Sequence, residues 1–115
     1  MNDLKNNIAL SLAQTTLMNV LSRHPLHTHF KVGKTIQTLQ QRFAENYADE
    51  YEGIELLYDS GEDGELIDWL EVEMIKYCRS TYGDDECDNR QEGGGPDCKD
   101  KADLSNTAKL YVVWR

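Results

Sequence analysis

The chain closes on Lys109-Leu110-Tyr111-Val112-Val113-Trp114, a run of β-branched and aromatic residues that is a strong strand signal. Those apolar side chains are wasted unless the strand, expected over about 108–114, joins a sheet. A chain of 115 residues forms one domain, 1–115, with a single core. Any active site is therefore carried on the face of that core.

Periodicity supplies the other elements. Leu4, Ile8, Leu12, Leu17, Val20 and Leu21 recur near helical spacing, and the run stops before Pro25, which disfavours helix in the residue ahead of it. A helix over about 3–22 follows. Phe30, Val32 and Lys34 alternate as a short strand ending in a Gly-containing turn. Thr38 can cap a second helix on which Leu39, Phe43 and Tyr47 lie four apart, with Arg42 beside that stripe. Ile54, Leu56 and Tyr58 alternate with Glu55, Leu57 and Asp59, which suggests a strand with one wetter face, and 59–64 is turn-rich. A third helix over 67–80 has Leu70, Met74 and Tyr77 as its apolar row, with Glu71 next to it. Residues 83–105, rich in Gly, Asp, Asn and Lys, read as a long loop, and such loops in compact domains are usually functional or mobile. The sum is an α+β fold: a small three-stranded, mainly antiparallel sheet flanked by helices.

No apolar run approaches the ~20 residues of a membrane span. The first residues lack the basic start, apolar stretch and cleavage site of a secretory signal, so a cytoplasmic protein is expected. Cys78, Cys87 and Cys98 are odd in number with no two-residue-spaced pair, which points to reduced thiols. With His24, His27 and His29 they match none of the usual zinc spacings.

The net charge of −9 opposes nucleic-acid binding, in which Lys and Arg contacts to phosphate dominate affinity. The charge is unevenly distributed, however. From Leu4 to Ala44 there is no acid, while Lys5, Arg23, Lys31, Lys34 and Arg42 all fall there. The acids crowd into 49–73 and 84–88, as a solvated face would.

That basic third overlaps the one pattern suggesting a chemistry. Phe30-Lys31-Val32-Gly33-Lys34-Thr35, then Arg42, then Glu71 stand in the order a metal-assisted phosphodiester hydrolase needs. The reaction requires a cation for charge developing on phosphorus, a carboxylate for a divalent metal, and a base for water. Arg42 and Glu71 can supply the first two. A histidine, His29 or His27, can supply the third, since an unperturbed pKa near ~6.5 suits a base at neutral pH.

These segments resemble the GIY-YIG endonuclease superfamily over roughly residues 30–89. Gly33, Lys34, Arg42, Glu71 and Asn89 stand at its motif positions, and Trp69 to Tyr77 resembles its glutamate helix. Phe30 to Thr35 looks most like the branch in which a Lys replaces the tyrosine of the second motif. The resemblance implies a DNA endonuclease with Glu71 holding Mg²⁺ or Mn²⁺, Arg42 stabilising the transition state, Lys31 and Lys34 with Gly33 binding phosphate, and Asn89 in a supporting position. The family's first motif, a tyrosine strand that precedes the Gly33 strand by a hairpin, has no counterpart upstream. Tyr111 on the closing strand fills that place if the fold is circularly permuted, which requires the closing strand to lie beside the Phe30 strand. A catalytically silent module that binds protein or DNA, or an acidic inhibitor of a nucleic-acid enzyme, is the alternative.

Overall fold

In the computed structural model, which describes residues 3–91, 93 and 97–115, the last strand of the chain is the middle strand of the sheet. β1 (Phe30–Thr35), β2 (Gly53–Gly61) and β3 (Ala108–Trp114) are ordered β1-β3-β2, and both pairings are antiparallel. Burial explains the central position, because Leu110 to Val113 are fully enclosed and a strand so apolar needs cover on both faces.

The helices supply that cover, and the fold is of the α+β class, a three-stranded antiparallel sheet flanked by helices. One face holds the main core, where Val32, Leu110 and Val112 meet Ile67, Leu70 and Met74 of α3 (Gly64–Tyr82) and Ala9, Ala13, Leu17 and Val20 of α1 (Asp3–Arg23). The other face is smaller. There Leu39 and Phe43 of α2 (Leu39–Asn46), with Tyr47 at its C-cap, pack on Tyr51, Tyr111 and Val113. None of the described helices is long and apolar enough to cross a membrane.

Local chemistry sets the helix ends. Thr38 caps α2, its hydroxyl accepting from the Gln41 N–H at 3.2 Å. The Asp63 carboxylate caps α3 by accepting from the Leu66 N–H at 3.0 Å, so this helix begins three residues before the expected 67. Gly64 is needed in that first turn because a Cβ there would collide with the Cys98 carbonyl.

Two expectations of face need correction. On α1 the inward residues are Ala9, Ala13, Leu17 and Val20, whereas Leu4, Ile8 and Leu12 are 73%, 50% and 51% exposed. Leucine spacing marks the helix, but the small alanines let it approach β2 and α3. On β2 the strict alternation fails, because a register shift between Leu56, which pairs with Tyr111, and Tyr58, which pairs with Leu110, places Leu57 and Tyr58 together against the main core, while Leu56 is exposed. An extra residue in one strand reverses its parity beyond that point.

The described part of the 83–105 segment is tied down rather than loose. Its 86–89 stretch runs beside the outer edge of β1, with Phe30 N–H donating to the Glu86 carbonyl at 2.8 Å and Asp88 N–H to the Phe30 carbonyl at 2.7 Å. Cys78, Cys87 and Cys98 are free thiols, all buried.

Candidate active site

The β1–β3 register sets Gly33 opposite Tyr111. A Cβ at position 33 would strike the Tyr111 hydroxyl, so only glycine lets the phenol ring lie across β1. The buried ring reaches α2, where its oxygen accepts from Arg42 Nε at 3.1 Å and lies 2.6 Å from the Tyr47 hydroxyl. Burial, reinforced by Tyr47, raises the Tyr111 pKa well above that of an ordinary tyrosine, although Arg42 pulls the other way. The Arg42 guanidinium is half-buried; burial opposes its charge, but Tyr111 and Tyr47 outweigh that and keep it protonated.

Lys34 points to the opposite face of β1, toward α3. Its ammonium donates to Asp68 Oδ1 at 2.9 Å and stands 3.6 Å from Glu71 Oε1 and 3.5 Å from Asp97 Oδ1. Burial lowers the Lys34 pKa, yet the Asp68 hydrogen bond and the Glu71 charge more than offset it, and the net shift is upward. Asp68, one helical turn before Glu71, also accepts the backbone N–H groups of Cys98 at 2.7 Å and Lys99 at 2.9 Å. It thereby joins β1, α3 and the returning chain.

Around this edge strand lies a cleft of about 750 Å³. Lys31, Gly33, Lys34, Arg42, Glu71, Asn89 and Tyr111 all line it, although they come from five separate stretches of chain. Glu71, at 5% exposure, faces it from α3. The buried Asn89 amide behaves as a fragment of a fourth strand, accepting the Val32 N–H and donating to the Val32 carbonyl, both at 2.9 Å. Its role is to finish the edge of β1.

His29 lies elsewhere. It precedes β1, with Nδ1 3.5 Å from Asp88 Oδ1, and it is not part of the cleft wall; neither is His27. Asp88, which does line the cleft, is held by the Tyr51 hydroxyl at 2.8 Å and Arg115 Nε at 2.9 Å.

Two further residues belong to the site. Tyr47 counts in the sequence only as an apolar position, and no local signal gives it a polar role because its partner Tyr111 is 64 positions away. Asp68 does have a local signal, lying three residues before Glu71 and so on the same helix face. Among the described residues, no group of three or more His, Cys, Asp or Glu is arranged to hold a metal ion.

The arrangement offers a half-buried guanidinium, a carboxylate beside an ammonium, and a phenol hydrogen-bonded to Arg42 and to a second tyrosine hydroxyl, all around one cleft. Comparison with family models, curated proteins and solved structures returns no match.

Proposed function

We propose that this chain is a circularly permuted, GIY-YIG-like endonuclease that hydrolyses phosphodiester bonds in DNA in the cytoplasm. One observation carries the reading: the closing strand lies antiparallel beside the Gly33 strand and brings the Tyr111 hydroxyl within 3.1 Å of Arg42. An antiparallel neighbour of that strand is what the missing tyrosine hairpin would have supplied.

Arg42 directs its remaining N–H groups to a non-bridging phosphate oxygen and stabilises the charge that grows there. Tyr111 in its deprotonated form, flanked by donors from Arg42 and Tyr47, takes a proton from the attacking water. The oxygen of that water forms a bond to phosphorus as an ester P–O bond breaks, and the departing deoxyribose oxygen takes a proton from bulk water. Lys31, half-buried on the same face as Gly33 and Tyr111, holds a neighbouring phosphate.

Glu71 fits Mg²⁺ or Mn²⁺ in donor chemistry, since Mg²⁺ accepts one protein carboxylate with waters and substrate phosphate completing its shell. A bound ion there would polarise the phosphate and lower the pKa of its water. Lys34 competes for the same carboxylate, and binding therefore requires its ammonium to shift toward Asp68 and Asp97.

That competition also favours a second reading, in which the fold is a silent module that binds protein or DNA with the Lys34–Glu71 pair permanently closed. Incubation of the protein with supercoiled and linear DNA, with and without Mg²⁺ or Mn²⁺, separates the two. Metal-dependent nicking that disappears in both Arg42→Ala and Glu71→Gln is expected for the enzyme. Cleavage surviving in either variant assigns the activity elsewhere, and a folded protein with no cleavage or metal affinity is the silent module.

A further inference from the structure

We infer that the cleft admits a short single-stranded stretch of DNA and disfavours a continuous duplex. The inference rests on the endonuclease reading and specifies the substrate of the same site. Its basis is the placement of charge around the cleft.

Inside the cleft Lys34 is matched by Asp68, Glu71 and Asp97, and the Arg90 guanidinium donates to the carbonyls of Cys87 at 2.8 Å and Asn89 at 3.3 Å. Among the described residues that leaves Lys31 and Lys101 as cleft cations with no carboxylate or carbonyl hydrogen-bonded to them, together with Arg42, whose hydrogen bond goes to Tyr111 and whose charge is felt by the neighbouring Glu45 carboxylate. Three cations can meet about three phosphates.

The chain segments that flank the lining residues carry the opposite sign. Exposed Asp49, Glu50 and Glu52 follow directly on the lining residue Tyr47, whose carbonyl accepts the Glu50 N–H at 3.0 Å. Exposed Asp84, Asp85 and Glu86 lead into the lining residues Asp88, Asn89 and Arg90 on the other wall. The Tyr51–Asp88 hydrogen bond links the two walls at the Phe30/Trp114 end of the sheet.

A duplex carries a negative charge every ~1.7 Å of its axis and stays straight over its ~50 nm persistence length. Placing one of its phosphates on Arg42 turns a dense row of flanking charges toward these acid-bearing segments, and repulsion between them acts over about 8 Å in physiological salt. A single strand bends, so it can seat two or three phosphates and turn the rest away. The cleft volume is also that of a small-ligand site.

The test is fluorescence anisotropy in EDTA, with a labelled eight-nucleotide single-stranded oligodeoxynucleotide and the same sequence as a duplex. The single strand is expected to bind at least about tenfold more tightly, and its Kd to weaken about 20-fold from 50 to 200 mM salt for three phosphate contacts. Arg42→Ala and Lys31→Ala weaken single-strand binding. The triple change Asp49→Lys, Glu50→Lys, Glu52→Lys, with the fold checked by circular dichroism, narrows the gap by improving duplex binding. Equal or tighter duplex binding by the unaltered protein overturns the inference. If that duplex is also cut in a metal-dependent way, the endonuclease reading stands without it; if neither DNA is bound nor cut, both fall.

Discussion

The Tyr111 hydroxyl accepts a hydrogen bond from Arg42 Nε at 3.1 Å across 69 positions of sequence, and the contact exists because residue 33 has no side chain. Strand β3 carries the phenol to the centre of the sheet, glycine lets it cross β1, and α2 presents the guanidinium on the far side.

Gly33→Ala should therefore damage stability and site together. The added methyl meets the phenol ring, and overpacking of this kind typically costs about 1–3 kcal/mol. Urea unfolding should show the loss. The companion Tyr111→Phe, which removes only the hydroxyl, should leave the variant far closer to the unaltered protein than Gly33→Ala does.

If Tyr111 is the base of the proposed endonuclease, its cleavage rate should rise with pH. Burial and Tyr47 raise the Tyr111 pKa, so only a small fraction is deprotonated at neutrality and that fraction grows about tenfold per pH unit. A logarithmic rate profile of slope near one from pH 7 to 9 is expected, abolished in Tyr111→Phe along with a fall of about 10²-fold or more in rate. A profile that levels off near pH 7 would instead indicate a histidine base.

Asp68→Asn should unlock the β1–α3 corner. The carboxylate accepts from Lys34 and from two backbone N–H groups, and hydrogen bonds to charged groups are worth about 1.5–3 kcal/mol each. Thermal unfolding should show a loss of about 2 kcal/mol or more. The pH dependence has a definite sign. Because the folded Lys34 pKa is raised above its ordinary 10.5, its contribution is complete below the ordinary value and is lost as pH rises through the folded one. Stability above pH 10 should consequently fall more steeply in the unaltered protein than in Asp68→Asn.

At the strand edge, Asn89→Leu is close in shape but can neither accept from nor donate to Val32. Leaving the Val32 N–H and carbonyl without that partner in a buried position should cost about 2 kcal/mol or more. Faster hydrogen exchange at Val32, with the α1 amides unaffected, would localise the effect; uniform exchange across the molecule would refute it.

What the sequence determined by itself is local. Residues 109–114 have to be enclosed because their side chains are apolar on successive positions, Thr38 has to begin a helix because its hydroxyl can satisfy a free N–H, and Asp68 and Glu71 share a face because a helix turns in 3.6 residues. Where an element's inner side depended on its neighbours, local spacing was insufficient: Ala9 and Ala13, not Leu4 and Ile8, face inward because the helix lies close to β2 and α3, and a bulge at Leu57 reversed the parity of β2. Only the tertiary structure decided the partners of Tyr111, of Asn89 and of Lys34, since each pairing spans more than 30 residues and depends on strand order. Periodicity reports which side chains need burial, whereas a polar atom's partner is whatever the completed fold brings within about 3 Å.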